Sequence, residues 1–282
     1  SFADKPYVNM ESPDTYQLAL EDPKGLLARY PEGAVIDEIQ RAPELLSYIQ
    51  VIVDKRQRNG LYILTGSHQL DLHAQVTQSL AGRTALLNLL PLSLSELAAV
   101  QHIDDPNQIL YAGLLPRVYK EQQQPTKAYR NYLQTYIERD VRRLVNVKDL
   151  SAFQKFMTIC ASRIGQLINY ESIGRELGLS NNTVKNWLSI LEASFIIFRL
   201  QPYYANISKR LIKSPKLYFI EPGLATYLLG IESVEQVQRD PLSGHLFENL
   251  VILELIKRRY NQGLDPHLYF YRDQQQHEVD VI

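Results

Sequence analysis

Ala34, Val35 and Ile36 form a short apolar run that stops on Asp37 and Glu38, just after the turn residues Pro31, Glu32 and Gly33. Apolar residues then recur at helical spacing at Leu45, Leu46, Ile49, Ile52 and Val53, with Pro43 in the first turn of the expected helix and Gly60 just past its end. A second apolar run, Leu61 to Leu64, leads into Thr65-Gly66-Ser67. Strand, helix and strand in this order predict a parallel pair joined by a right-handed crossover. A further helical stretch closes near Ser79-Leu80-Ala81-Gly82-Arg83, and Thr84 to Leu89 is expected as a third strand. Asp37, Glu38, Thr65 and Ser67 then share the carboxyl edge of one sheet, where open α/β sheets bind ligands.

The pattern changes downstream. Residues 111–147 read as helical connector, with Tyr129, Tyr132 and Tyr136 on one face of a helix running into Arg139, Asp140, Arg142 and Arg143. Between Tyr170 and Leu191 the spacing predicts two helices and a tight turn. Gly174 marks a close approach, Gly178 the turn and Ser180 a cap, while Val184, Trp187, Leu188 and Leu191 form the buried face of the second helix. Its outward face carries Asn181, Asn182, Thr183, Lys185, Asn186 and Ser189, side chains suited to phosphates and base edges and equally to solvent. A β-like stretch from Phe195 to Tyr204 follows. From Ala193 to Ile220 there is no acid, but Arg199, Lys209, Arg210, Lys213 and Lys216 are present, with Tyr203 and Tyr204 among them. The combination predicts a winged helix with a positive flank. DNA contact through Asn182, Thr183, Lys185, Lys209, Arg210, Lys213 and Lys216 is one use of such a module; a protein-protein or interdomain lever is the other. Leu246 to Tyr260 is expected as a helix, followed by strands His267 to Arg272 and Glu278 to Ile282.

Composition narrows the class. A chain of 282 residues with 45% hydrophobic and 22% charged residues has room for more than one core and is not expected to be disordered. Its net charge of −1 provides no whole-molecule field toward nucleic acid or membrane, so any nucleic-acid site is a local patch. Cys160 is the single cysteine; it lies in an apolar helical stretch and is expected to be a small buried hydrophobe. No run of roughly 18 apolar residues occurs, and no basic-then-apolar leader opens the sequence. The expectation is a cytoplasmic protein without a membrane partner.

The acids at the strand end carry the chemistry. A strand-end Asp can hold Mg²⁺ through water, the adjacent Glu can polarise an attacking water, and a hydroxyl on the neighbouring strand can sense a γ-phosphate. Two acids that merely cap the following helix would give the same local pattern. The strings AVIDEIQRAPELL, YILTGS, SLAGR and LLPLSLSEL, in this order, resemble the AAA-superfamily ATPases of prokaryotes that carry a C-terminal domain of unknown function. The resemblance implies that Asp37 and Glu38 are the Walker B pair, with Asp37 the metal and cofactor-binding residue. It further implies that Thr65 or Ser67 is the sensor-1 position, that Arg83 is a candidate charge stabiliser, and that ATP and Mg²⁺ are the cofactors. YLQTYIERDVRR and NISKRLIKSPKLYFIEPGLATYLLG are similar to later parts of the same family.

One departure from the family is large. No GxxxxGK followed by Ser or Thr occurs, and Lys213-Ser214 lacks the glycines. The resemblance places that loop upstream of Ser1, with Pro6 to Met10 as the strand after its helix. Without the loop's amides and lysine the chain is expected neither to bind nucleotide tightly nor to hydrolyse it alone. At the other end, Glu248 on a helix and Glu278 and Asp280 on one face of a strand resemble a restriction-endonuclease-like core and match the family's EVD string. A salt-bridged or solvent-exposed strand edge is the alternative.

The expected fold is an α/β parallel-sheet nucleotide-binding core, incomplete, over 1–110. A helical connector over 111–150, a winged helix-turn-helix domain over 151–235 and a partial α+β endonuclease-like domain over 236–282 follow. The expected function is ATP binding and hydrolysis by an AAA-type ATPase, coupled to a winged helix that contacts DNA. The alternative is a non-enzymatic DNA- or protein-binding module, with a protein partner or a second copy of the chain as its target.

Overall fold

A computed structural model describes residues 4–66, 79–137, 150–203, 214–273, 275 and 277–282; for 136 and 137 it describes the backbone alone. The chain divides into two compact units, Ser1–Leu86 and Leu87–Ile282.

In the first unit, β1 (Tyr7–Asn9), α1 (Pro13–Glu21), α2 (Pro23–Ala28), β2 (Val35–Asp37), α3 (Leu45–Arg56) and β3 (Ile63–Leu64) follow in order. The three strands form a parallel sheet in the order β1-β2-β3, with Asn9 opposite Asp37 and Ile36 opposite Leu64. The expected strand-helix-strand unit is present. Its core is Val8, Ile36, Ile39, Leu45, Leu46 and Ile49 with Leu26 and Leu27 of α2, so the α3 stripe read from the sequence faces the sheet. The strand expected over Thr84 to Leu89 does not form: these residues have no regular structure, and Leu86, Leu87 and Leu89 are 53%, 78% and 94% exposed. An apolar run becomes a strand only when a neighbour takes its backbone groups, and none of the described strands pairs with this one.

The second unit opens with short helices α4 (Leu94–Ala98), α5 (Pro106–Ala112), α6 (Pro116–Lys120) and α7 (Pro125–Tyr132), of which the last three have proline in the first turn. Then come α8 (Leu150–Ser162), α9 (Tyr170–Leu177) and α10 (Asn181–Ala193). Asn169 caps α9 by accepting from the Ser172 amide at 2.9 Å, and Ser180 caps α10 by accepting from the Thr183 amide at 3.1 Å. Gly178 turns between them at φ +67°, a conformation that favours glycine. A Cβ on Gly174 would lie 2.6 Å from the Leu179 carbonyl oxygen, which is why the two helices need a glycine there. Trp187 packs edge-on against Phe153 and Phe156 of α8, both at 5.2 Å.

After α10 the chain forms β4 (Ile197–Pro202), β5 (Lys216–Phe219), α11 (Pro222–Leu228), α12 (Val234–Arg239), α13 (Ser243–Asn261), β6 (Tyr269–Arg272) and β7 (Glu278–Val279). The sheet order is β5-β4-β6-β7; β4 is antiparallel to β5 and parallel to β6, and β6 is antiparallel to β7. One buried cluster runs from Leu97 to Phe270. Cys160 is fully buried, as expected, and burial pushes its thiol up.

Candidate functional site

β2 delivers Asp37 to the carboxyl edge of the parallel sheet. Thr65, just past the end of β3, donates its hydroxyl to one Asp37 oxygen, and Tyr7 of β1 donates its hydroxyl to the other. The three strands thus each contribute one polar side chain at one edge. The Ile39 amide bonds the Thr65 carbonyl at 3.1 Å and the Met10 amide bonds the Asp37 carbonyl at 3.0 Å, fixing the strand ends. Burial works against the Asp37 charge, but the bonds from Thr65, Tyr7 and the Glu38 amide outweigh it and hold the carboxyl below the usual aspartate range. The same contact pushes the Tyr7 phenol up.

Glu38 accepts from the Gln40 side chain, and its backbone sits in the left-handed region at φ +54°. A residue with a Cβ is uncommon there, and such conformations concentrate where the surroundings hold a side chain for a task. Arg83 is placed elsewhere. Its Nε and Nη2 pair with Asp54 in the last turn of α3, at 2.5 and 3.1 Å, while Arg56 from the same turn bonds the Pro31 carbonyl, ahead of β2, at 2.6 Å. α3 runs back along the sheet, so Arg83 lies at the amino edge, away from Asp37. Ser67 lies outside the described residues.

A second constellation sits in the other unit. Lys216 of β5 is 4% exposed. Its ammonium meets Glu248 of α13 at 3.2 Å, Asp280 at 3.3 Å and Glu278 of β7, and lies over the Phe270 ring at 5.6 Å. Glu248 also takes the Tyr218 hydroxyl and faces His245 Nδ1 at 3.5 Å; Glu278 faces Arg272 at 3.6 Å. Burial opposes the Lys216 charge, but Glu278 and Glu248 overcome this and hold the ammonium above the ordinary lysine range. The expected trio Glu248, Glu278 and Asp280 is therefore brought together, around a lysine that the sequence pattern had assigned to a surface flank. That assignment of Lys216 is corrected: a side chain buried among three carboxylates is not a phosphate contact.

The flank is further reduced by Arg199, which pairs with Glu192 of α10, its Nε at 2.8 Å. Lys209, Arg210 and Lys213 lie outside the described residues, as do Tyr204, Arg139, Asp140, Arg142 and Arg143. On α10, Asn181, Asn182, Lys185, Asn186 and Ser189 are exposed and Thr183 is half-buried, bonded to Ser180; Lys185 lies 5.4 Å from the Tyr170 ring.

The sequence does not single out Tyr7, Gln40 or Tyr218: Tyr7 is opposite Val35 and reaches Asp37 only through the length of its side chain, and only tertiary packing brings Tyr218 to Glu248.

Residues 2–98 match an AAA domain, residues 103–235 a domain of unknown function (DUF8612) and residues 243–282 another (DUF4143). The chain is 30% identical to uncharacterised proteins of Mycobacterium tuberculosis and Mycobacterium bovis over 264 residues, 93% of this chain and 58% of each relative. It is 22% identical to an uncharacterised protein of Haemophilus influenzae over 241 residues, 80% of this chain and 58% of that protein. The chain thus spans 58% of the length of these relatives. No solved structure matches. Residues 2–98 are thus similar to AAA domains, and the described structure is an α/β unit followed in the chain by a largely helical unit. No described helix is long and apolar enough to cross a membrane.

Proposed function

We propose that the first unit is the metal- and water-handling half of an AAA-type ATPase site. Asp37 holds hydrated Mg²⁺, Glu38 polarises the attacking water, and Thr65 is the hydroxyl that reads the γ-phosphate. The supporting observation is the Tyr7–Asp37–Thr65 arrangement at the carboxyl edge of a parallel sheet, within the segment that matches an AAA domain. The donor set fits a hydrated cation: each Asp37 oxygen accepts one hydroxyl, and a carboxylate has about four lone-pair sites. The phosphate side does not fit, since no glycine loop with its lysine occurs among the 282 residues. ATP with Mg²⁺, when bound, supplies the electrophilic phosphoryl group; the residues of this chain keep a carboxylate ionised beside it and orient a water. The phosphate-cradling amides are proposed to precede Ser1.

Phosphate release and nucleotide affinity test this on the 282-residue chain and on the protein extended upstream through a P-loop. The extended protein is expected to turn over and the shorter chain not. In the extended protein Glu38→Gln keeps binding but loses turnover by about 10²-fold or more, because an amide cannot accept a proton from the water. Asp37→Ala weakens Mg²⁺-dependent binding. Steady turnover by the 282 residues, or undiminished turnover of Glu38→Gln, refutes the assignment.

Coupling of ATP use to DNA through a winged helix is a second reading, supported by the exposed polar face of α10 and the antiparallel pair after it. Arg199 and Lys216 are engaged by carboxylates, so the charge falls to Lys185 and to Lys209, Arg210 and Lys213. Duplex DNA binding at low salt, with a salt slope that flattens by about 0.9 for each of these bases removed, supports DNA contact. Absence of binding favours a protein-facing or self-associating module.

A further inference from the structure

Glu221, between β5 and α11, is 4% exposed, and its two oxygens have unequal surroundings. Oε1 accepts from the Leu114 amide at 2.8 Å, the Tyr129 hydroxyl at 2.8 Å and the Gly223 amide at 3.1 Å. Oε2 is buried and has no hydrogen-bond partner among the described residues. The surroundings are built around this carboxyl: a Cβ on Gly113 would lie 1.7 Å from the Tyr129 hydroxyl and 2.1 Å from Glu221 Oε1, and one on Gly223 would lie 2.5 Å from the Tyr129 ring. The Tyr119 hydroxyl secures the same turn by donating to the Gly113 carbonyl at 2.5 Å.

A buried carboxylate spreads its charge over both oxygens and needs donors on both. Three donors on one oxygen and none on the other is the pattern of a carboxylic acid, in which the carbonyl oxygen accepts and the other oxygen carries the proton. A neutral hydroxyl without a partner costs less than a bare charged oxygen. We propose that Glu221 is held as the neutral acid, protonated on Oε2, and that it is a proton-linked latch tying the 112–116 turn to α7 and α11. Ionisation would demand a donor on Oε2, which is buried without one among the described residues.

The groups facing the latch come from three elements. They are Tyr129 of α7, with Tyr132 behind it, Tyr119 of α6, and Lys257 of α13, whose ammonium is engaged by the Leu92 carbonyl at 2.7 Å and Glu254 at 2.9 Å and feels Glu96. Burial pushes the Glu221 carboxyl up, against the Leu114, Tyr129 and Gly223 bonds and the Lys257 charge. The sign follows. The folded state holds a proton that the unfolded chain releases near the ordinary glutamate range, so the latch's contribution is complete below that range and is lost as pH rises through the folded value.

Infrared difference spectra of the whole chain, labelled with ¹³C-carboxyl glutamate, read the state directly. A protonated-carboxyl stretch persisting at neutral pH and absent from Glu221→Gln is expected; no such band in the wild-type chain overturns the proposal. Glu221→Gln mimics the neutral acid, and is expected to keep the midpoint of thermal unfolding near the ordinary glutamate range and to remove its decline as pH rises above that range. A variant that retains the wild-type decline, or is destabilised as much as Glu221→Ala, overturns the proposal as well.

Discussion

The two acid constellations of this protein are solved in opposite ways. Asp37 stands at a strand end with hydroxyls on both oxygens, and no basic side chain pairs with it among the described residues. Glu248, Glu278 and Asp280 converge on a buried lysine. Hydroxyls keep a carboxylate ionised without cancelling its charge, so the first arrangement retains an attraction for a cation from outside. A buried ammonium cancels charge, and the second arrangement spends its acids on joining β5, α13 and β7. Three carboxylates in one place are therefore weaker grounds for a metal site than one carboxylate held by neutral donors.

The largest effect that tests this contrast is on stability. Lys216→Met keeps the volume but leaves only Arg272, on Glu278, as a fixed cation beside the three carboxylates, and should cost about 3 kcal/mol in urea unfolding of the second unit. Asp37→Asn, which can still exchange hydrogen bonds with two hydroxyls, should cost about 1 kcal/mol or less. Equal costs would erase the distinction between a structural and a functional cluster.

A smaller effect sharpens the first half of the comparison. The Asp37 carboxyl is depressed in the folded state, so its contribution is complete above the ordinary aspartate range and is lost as pH falls through the folded value. Thr65→Val removes one of the two hydroxyl donors and should move the Asp37 titration, followed by carboxyl NMR, upward toward the ordinary range. An unchanged titration would mean that Thr65 does not hold Asp37.

The smallest expected effect is none. With all three acids engaged by Lys216, Mg²⁺-dependent nicking of plasmid DNA by the chain should be undetectable and unaltered by Asp280→Ala. Nicking that disappears in that variant would make the cluster an endonuclease-like centre and reverse the comparison.

Much of the α/β core was legible because its signals are local. A continuous apolar run marks β2 and period-3.6 apolar spacing marks α3, the acids follow the strand directly, and a strand-helix-strand order allows one handedness. The cap at Ser180 and the turn at Gly178 were legible for the same reason, since each acts within three or four residues. The Thr84 to Leu89 strand was misread because apolar composition states a need for burial and names no partner.

What the sequence determined by itself was thus the β2-α3-β3 unit, the α9-turn-α10 pair and the order of the chemistry along β2 and β3. Only the tertiary structure decided the meaning of the charges. Lys216, in an acid-free stretch, looked like a surface base, but its carboxylates arrive from residues 32 to 64 positions away. Glu221 caps α11, a local role, but the Leu114 amide and the Tyr129 hydroxyl reach it across 107 and 92 residues. Charge is read through burial and neighbours, and both depend on contacts between distant parts of the chain that no local spacing encodes.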